Sequence, residues 1–374
     1  MIEFERLIDH HCHGVDARPL SRARLEALMS EAHRPELPGC TQFDKPLGMV
    51  IRRFCAPVLG LEPHASPEDD VARRTELGGE ESSRLLLRAA GTSDLLLDTG
   101  HRSGDILDLS GMAALSGTSV REIVRIEAVM EAAAKTAGSG EQLLASFETM
   151  LAERASKAVG LKSIVAYRTT FDIDQSAPRR ADAAAAGDAW LRRIAASGWR
   201  RLEDPWLIRH GLYVALDLCV QRQFPLQLHV GVGDLDVNMP KCDPTVFAPF
   251  ILQAEAKDVP ITLLHCYPFV QESAWMAEVF SNVYFDVGFT LNFTGALARR
   301  AMEDALGMGP FFKQLYSSDA FGLAELHHLG RVQFQRVLSA VLSDWVAAGD
   351  CTAKEADRTA ALIAHKNAAR IYRI

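Results

Sequence analysis

Long apolar runs, paired cysteines and an excess of basic residues are all missing from this chain of 374 residues. No segment approaches the roughly 18 consecutive apolar residues of a membrane-spanning helix. The first six residues lack the basic start and apolar core of a signal peptide. A formal net charge of −8 leaves no basic stripe for the phosphates of nucleic acids. We therefore expect a cytoplasmic protein that binds neither a membrane nor nucleic acid.

The cysteines exclude two further classes of protein. There are seven of them, an odd number, and no two are spaced as a CxxC pair. This argues against both a disulfide framework and a zinc-ribbon site. Cys12 and Cys266 each lie next to a histidine of interest, but adjacent residues of a strand face opposite sides of the sheet. We expect these two thiols to be packing groups.

Eight short apolar runs predict β-strands along the chain. They lie at residues 7–13, 94–100, 122–127, 161–167, 226–230, 261–267, 283–288 and 315–319. Stretches with helical spacing separate most of them, as is typical of parallel strands joined by right-handed helical crossovers. Eight such units predict an α/β fold of the (β/α)₈ TIM-barrel type, which typically needs about 250 residues. The competing fold is an open doubly wound sheet, but residues 98–104 lack the GxGxxG spacing of its phosphate loop.

The chain is longer than the roughly 250 residues that such a barrel needs, and the additional residues fall in two places. Residues 14–93 separate the first two strands and are predicted to form a mostly helical insertion, which could cap the site or form the interface of a homo-oligomer. The tail beyond residue 331 predicts two or three amphipathic helices. No linker or repeat divides the chain, so we expect a single domain over residues 1–374.

Residues that bind divalent metals stand at the ends of several predicted strands. His11 and His13 are two apart at the end of the first strand and therefore project from the same side. His229, His265 and Asp319 close the fifth, sixth and eighth strands. Active sites of such barrels lie at the carboxyl ends of the strands. The pattern predicts a site for one or two divalent ions, with Zn²⁺ favoured and Mn²⁺, Fe²⁺ or Co²⁺ as alternatives.

Several segments of the chain resemble the amidohydrolase superfamily of metal-dependent barrel hydrolases. They are LIDHHCH, LQLHVGVGD, ITLLHCYP, VYFDVG, LYSSDA and NAARIYRI. Two of the segments, GLKSIVAYRT and LHVGVGDLD, resemble more narrowly the branch that also occurs fused to glutamine-synthetase-like domains, the FluG-type proteins. The resemblance implies that His11, His13, His229, His265 and Asp319 bind the metal. It also implies a catalytic site at His265 and Asp319, with Asp319 handling the proton of the attacking water.

Whether the resemblance implies one ion or two depends on Lys162. Binuclear relatives carry a lysine on the fourth strand that reacts with CO₂, and the resulting carbamate bridges both ions. A buried lysine with a depressed pKa is the form that reacts. Lys162 falls on the fourth predicted strand, just after Gly160. The alternative is a lysine at the outer, amino-terminal end of that strand, because most of the predicted run follows it.

Five other residues are candidates for holding substrate. Arg168 shares strand parity with Lys162 and would point toward the mouth of the barrel, where a guanidinium suits a carboxylate. Arg125 and Glu127 close the third predicted strand. Asp234 and Asp236 follow His229 and could meet a substrate ammonium. Two further histidines, His327 and His328, follow the eighth strand and are expected to be solvated.

These expectations favour a hydrolase that cleaves an amide or related C–N bond of a small polar substrate by metal-activated water. The resemblance to the fused branch suggests a γ-glutamyl amide. Two alternatives stay open. One is a mononuclear decarboxylase or isomerase of the same superfamily with an unmodified Lys162, and the other is a barrel that binds metal or ligand without turnover.

Overall fold

The structure, a computed structural model, describes residues 2–102 and 104–374. Its sheet has seven parallel strands that are hydrogen-bonded in chain order. They are β1 (Ile8–Cys12), β2 (Asp94–Asp98), β3 (Ser119–Arg125), β4 (Gly160–Ser163), β5 (Leu226–His229), β6 (Ile261–Leu264) and β7 (Val283–Phe285). Because all neighbouring pairs are parallel, the seven carboxyl ends lie at the same edge of the sheet.

Helices connect the strands, as the α/β pattern predicts. They are α1 (Arg22–Ala27), α2 (Pro46–Phe54), α3 (Pro67–Leu77), α4 (Gly79–Ala90), α5 (Leu109–Ser116), α6 (Ile126–Ala134), α7 (Gly140–Ala155), α8 (Val165–Arg168), α9 (Arg180–Ser197), α10 (Pro205–Arg222), α11 (Ala248–Glu255), α12 (Val270–Val279), α13 (Gly288–Thr294), α14 (Ala298–Met308), α15 (Ala324–Ala348), α16 (Ala353–Ala361) and α17 (Asn367–Tyr372). Short 3₁₀ turns occupy Gln42–Asp44, Ala56–Leu59, Met239–Lys241, Pro244–Phe247, Gly295–Leu297 and Phe311–Lys313, and a π turn spans Leu362–Lys366.

The eighth predicted strand is extended chain but not a regular strand. Leu315 donates its backbone N–H to the last residue of β7 at 2.9 Å, and Asp319 donates its own to His11 of β1 at 3.1 Å. Between them His10 of β1 donates its backbone N–H to Tyr316 at 3.1 Å, but the backbone N–H of Ser318 goes to the carboxylate of Asp9, at 3.0 Å, instead of to a strand. Asp319 then turns into the left-handed region, with φ of 49°. The segment therefore bonds to both outer strands of the sheet without forming a full ladder.

Apolar side chains hold the sheet and the helices together. Leu161 and Ile261 from the strands share one buried cluster with Phe147 of α7 and Leu212 of α10. Full burial of one such side chain contributes about 1.5–3 kcal/mol relative to leaving it exposed. This packing fixes the strands, and so it fixes the side chains that project from their carboxyl ends.

The segment between β1 and β2 contains four of the helices, α1 to α4. Its apolar side chains, among them Leu86 and Leu87, are buried in a cluster with Leu326 and Leu329 at the start of α15. The same cluster contains Leu95 and Leu97 of β2, so the segment packs against both the sheet and α15. No helix in residues 2–102 and 104–374 combines the length and the apolar character of a membrane span.

All seven strands end earlier than predicted, and at the third and fourth a helix begins within the predicted run. The third was expected to reach residue 127, but β3 ends at Arg125 and α6 begins at once. The fourth was expected to reach residue 167, but β4 ends at Ser163 and the single turn α8 follows. Apolar residues continue through both junctions, so an apolar run alone does not mark where a strand becomes a helix.

Candidate metal centre

Four imidazoles and one carboxylate converge at the carboxyl-terminal edge of the sheet. The carboxylate oxygens of Asp319 lie 3.3 Å from Nε2 of His11, 3.8 Å from Nε2 of His13 and 3.2 Å from Nδ1 of His265. The rings of His229 and His265 lie 4.9 Å apart between centroids. The structure thus brings together all five residues for which the sequence predicts metal ligation. Their role as ligands stays a prediction.

Hydrogen bonds behind the first two imidazoles fix which nitrogen faces the centre. His13 Nδ1 lies 3.2 Å from the backbone carbonyl of Asp98, which can only accept, so Nδ1 carries the proton. His11 Nδ1 lies 2.9 Å from Oε1 of Gln227. The amide nitrogen of Gln227 is held by a backbone carbonyl at 2.8 Å, so its oxygen must face the imidazole. Both Nε2 atoms therefore present lone pairs to the centre.

The other two imidazoles carry nitrogens without a hydrogen-bond partner. They are Nε2 of His229 and Nδ1 of His265, buried and unpaired among the residues that the structure describes. Burial, reinforced by the charge of Lys162, lowers the pKa of His11 and of His229 well below the ordinary value. Burial likewise lowers the pKa of His13 and His265. Neutral imidazole is the form in which histidine binds a divalent metal.

Asp319 completes this donor set with a carboxylate in an environment that disfavours its charge. Burial raises the pKa of Asp319 well above its ordinary value, while the ammonium of Lys162 opposes that rise. A divalent cation in contact with the carboxylate would favour the ionised form. One ligand atom each from His11, His265 and Asp319 lie within 4.8 Å of one another. Mixed imidazole and carboxylate donors at this spacing fit Zn²⁺ and related ions.

Lys162 lies inside the site and not at the outer end of its strand. Because β4 ends one residue later, its Nζ reaches to 3.0 Å from His11 Nε2 and 3.2 Å from Oδ2 of Asp98. The same Asp98 oxygen accepts hydrogen bonds from Arg125 at 3.0 and 2.5 Å. Burial alone would raise the pKa of Asp98, but the two cations outweigh it and lower that pKa well below the ordinary value. Burial lowers the pKa of Lys162, and the charge of Asp98 opposes this shift.

A cavity of about 630 Å³ opens above the metal residues, lined in part by the insertion. Arg24 and His33 from the insertion and His101 after β2 contribute to its wall. His101 packs beside His13, with ring centroids 5.4 Å apart, and burial lowers its pKa to about 3. The insertion therefore contributes directly to the candidate substrate site.

Arg168 lines this cavity, although the parity argument that predicted it was wrong. The residue belongs to α8 and not to a strand, so alternation along β4 does not set its direction. Its Nη2 lies 3.2 Å from Glu131, while Nε and Nη1 are buried without a partner in the described part of the chain. Two unpaired N–H donors on the guanidinium of a residue that lines a cavity are suited to a carboxylate acceptor.

Three phenylalanines also line the cavity. Phe289 and Phe293 of α13 stack with ring centroids 3.8 Å apart, and Phe321 follows Asp319. Lys162 of β4 and Arg168 of α8 line the same cavity. Different elements of the fold therefore supply these three rings and these two cations.

Four other candidates for substrate contact occupy different positions. Arg125 lines the cavity but is bound to Asp98. Asp234 and Asp236 are exposed at the rim, and Asp236 forms an ion pair with Arg201. Glu127 was predicted to face the mouth of the barrel, and this prediction was wrong. It opens α6, where one carboxylate oxygen accepts from Ser163 Oγ at 2.5 Å and from the backbone of Ile164 at 3.0 Å.

Sequence reasoning missed Asp98 and Gln227 and misjudged His327. Asp98 ends β2 at the same edge as the histidines, and Gln227 precedes His229 by two residues on the same face of β5. Both positions could have been found by applying strand parity to every strand. His327 is buried rather than solvated, and its Nε2 lies 3.2 Å from the backbone oxygen of His13. His328 is also buried.

Known proteins provide three comparisons. Residues 129–374 match the sequence model of the family described as amidohydrolase. The whole chain aligns with protein fluG of Emericella nidulans at 28% identity, and it spans 46% of that protein's length. A crystal structure from Lactobacillus casei ATCC 334, described as a metal-dependent hydrolase, shares 26% identity with a TM-score of 0.85 over 98% of this chain and 95% of the other.

A more distant structure supports the fold alone. Uronate isomerase of Thermotoga maritima superposes with a TM-score of 0.59 at 13% identity, over 98% of this chain and 94% of its own. The family match includes β4 to β7 and reaches the last helix, so it contains Lys162, His229, His265 and Asp319. On this match the chain belongs to the amidohydrolase family.

Proposed function

We propose that this chain is a metal-dependent hydrolase that cleaves an amide or related C–N bond in a small polar substrate. The observation that carries the proposal is the pair of buried, unpartnered nitrogens on His229 and His265 beside the carboxylate of Asp319. Buried polar atoms in folded proteins are nearly always satisfied, so an open donor set of this kind calls for a ligand. The description of the Lactobacillus casei protein as a metal-dependent hydrolase supports the same reading.

We also propose that the extended chain after β7 acts as an eighth strand and closes an eight-stranded barrel. Its hydrogen bonds to β7 and to β1 support this interpretation. In such barrels the carboxyl ends of the strands surround one site. Closure would explain why Asp319 meets His11, although the two are far apart in the sequence.

His11, His13, His229, His265 and Asp319 would hold one or two divalent ions, with Zn²⁺ favoured by the imidazole-rich donors and Mn²⁺ or Fe²⁺ as alternatives. When bound, such an ion polarises a carbonyl and lowers the pKa of water. Asp319 would accept the proton of the attacking water and return it to the leaving amine.

Arg168 and the rim carboxylates would orient the substrate. The unpaired Nε and Nη1 of Arg168 would donate to a substrate carboxylate, and Asp234 would meet an ammonium group from the rim. This pair of contacts suits an α-amino acid head group. Together with the likeness to the branch fused to glutamine-synthetase-like domains, it favours a γ-glutamyl amide as substrate.

A second candidate is favoured by Asp98. With the Asp98 carboxylate 3.2 Å from its Nζ, Lys162 is stabilised as an ammonium. A carbamate on the same nitrogen would bring a second negative charge next to that carboxylate. The contact therefore favours an unmodified Lys162, a single ion, and the decarboxylase or isomerase chemistry that accompanies one ion in the superfamily.

One combined experiment separates the two candidates. Metal content per chain would be measured together with ¹³C NMR of protein equilibrated with ¹³C-bicarbonate, and the same preparation would be screened against γ-glutamyl amides, N-acyl amino acids and lactones. Two equivalents of metal, a lysine carbamate signal and release of amine or ammonia are expected for the hydrolase. One equivalent without the carbamate signal, and no release from any amide, would support the second candidate instead.

A further inference from the structure

A chain of buried hydrogen bonds runs from His11 to a carboxylate on another strand. Gln227, which accepts from His11, lies 2.8 Å from the hydroxyl of Tyr372 through its amide nitrogen. That hydroxyl lies 2.9 Å from Nδ1 of His10, whose Nε2 lies 2.9 Å from Oδ2 of Asp286. All five side chains are buried. None of the four residues beyond His11 lines the cavity.

The groups at the two ends of this series of hydrogen bonds determine which atom donates and which accepts in each bond. At one end, Oδ1 of Asp286 accepts from the backbone of His265 at 3.1 Å, from the backbone of Gly288 at 2.8 Å and from Ser317 Oγ at 2.8 Å. Three donors to one oxygen favour the ionised carboxylate. Its other oxygen therefore accepts from the Nε2–H of His10.

At the other end, the amide nitrogen of Gln227 donates both of its protons, one to the backbone carbonyl of His10 at 2.8 Å and one to the Tyr372 hydroxyl at 2.8 Å, and these two acceptors together hold the amide in one orientation. The Tyr372 hydroxyl in turn donates its own proton to Nδ1 of His10. The Gln227 oxygen is left to accept from Nδ1–H of His11. Every donor has one acceptor, and the arrangement leaves Nε2 of His11 unprotonated.

We propose that Tyr372 and His10 are positioning residues that hold His11 in the tautomer needed for metal binding. Through Asp286 the same chain also holds the backbone of His265, which adopts a left-handed φ of 68°. The final helix α17 thus contributes Tyr372 to this series of hydrogen bonds without contacting the metal residues directly. The inference rests on the proposed function, because it assumes that His11 binds an ion.

The test replaces Tyr372 by Phe, which removes the hydroxyl and keeps the ring. Partners of metal-binding histidines typically change metal affinity by about 10- to 100-fold when mutated. We expect Zn²⁺ affinity, measured by competition with a chromophoric chelator, to fall by about tenfold in Y372F. In metal-free, ¹⁵N-histidine-labelled protein, the His11 signals should move from the pure Nδ1–H tautomer toward a mixture. Tyr213→Phe is the matched control, because its hydroxyl donates to the backbone of Gln175 at 2.8 Å in another part of the fold.

A second pair of variants tests the relay if Y372F does not fold. Gln227→Leu removes the acceptor of His11 and should lower Zn²⁺ affinity and disturb the tautomer. Gln333→Leu is its control, because Gln333 is also buried but donates to the backbone of Gly295 at 2.7 Å, outside the relay, and should change neither. An unchanged tautomer and unchanged affinity in Y372F, or equal effects of the two glutamine variants, would overturn the inference. If the wild-type protein binds no Zn²⁺, the proposed function fails, and the tautomer measurement still decides whether the relay exists.

Discussion

The Lys162 ammonium lies 3.2 Å from the Asp98 carboxylate, and Asp98 also binds the guanidinium of Arg125. One buried anion therefore neutralises two buried cations, with Asp319 as the other carboxylate in contact with the histidines. This arrangement makes Asp98 the residue on which the charge state of Lys162 depends.

Replacement of Asp98 by Asn should destabilise the protein strongly. It leaves Arg125 and Lys162 buried without their anion, and breaking a buried ion pair in this way typically costs about 3–5 kcal/mol. The free energy of unfolding from urea denaturation measures the effect. Asp105→Asn is the control, because Asp105 pairs with Arg102 in an exposed ion pair, where little change is expected. Equal, small losses in both variants would contradict the assignment of Asp98.

Divalent metal should stabilise the folded protein through the convergent histidines. A ligand that binds only the folded state at 100 times its Kd adds about 2.7 kcal/mol, so Zn²⁺ should raise the Tm measured by calorimetry and EDTA should reverse the rise. His265→Ala should abolish this metal-dependent shift relative to its own metal-free baseline. The control is His64→Asn, because His64 is exposed and its left-handed φ of 65° is one that Asn tolerates. A full shift in His265→Ala would argue against this centre.

Loss of the Arg168 guanidinium should weaken binding of carboxylates in particular. Hydrogen bonds to charged groups contribute about 1.5–3 kcal/mol, so Arg168→Gln should raise the inhibition constant of a dicarboxylate such as glutarate by about 10- to 100-fold. Calorimetric titration of glutarate measures the same loss without turnover. Arg201→Gln is the matched control, because Arg201 also lines the cavity but is paired with Glu203 and Asp236. Comparable losses in the two variants would remove the special role of Arg168.

His327 should contribute to unfolding in acid. Burial lowers its pKa to about 4, whereas in the unfolded chain it would titrate near 6.5. Between these values the unfolded state binds the extra proton, so stability is present above pH 6.5 and is lost as the pH falls toward 4, by about 3 kcal/mol for this group. His327→Gln, which keeps a donor for the His13 carbonyl, should show a shallower fall in unfolding free energy over this range. Parallel pH profiles for the two proteins would contradict this assignment.

Strand parity and the shared edge of parallel strands were sufficient to predict that His11, His13, His229, His265 and Asp319 converge. These residues are close because each lies at the carboxyl end of a strand or of extended chain beside one, which is a property of local sequence. The order and parallel pairing of seven strands could be predicted in the same way. The regular eighth strand could not, because Asp9 takes the backbone N–H of Ser318 from the ladder.

The direction of Glu127 and the helical turn that carries Arg168 could not be predicted, because both depend on a tertiary contact. The Glu127 carboxylate accepts from both Ser163 and Ile164, so it joins the beginning of α6 to the end of β4. This contact accompanies the change from strand to helix at Ile164 and sends Arg168 along a helical turn. No pattern within either segment contains that information.

The aromatic part of the cavity wall has a consequence for redesign. Phe289 and Phe321 pack beside metal residues, with ring centroids 6.4 Å from His265 and 5.9 Å from His13, whereas Phe293 lines the cavity from α13 and stacks on Phe289. Variants at Phe293 can therefore change which side chain or leaving group is accepted with the least disturbance of the donor atoms and the carboxylate anchor.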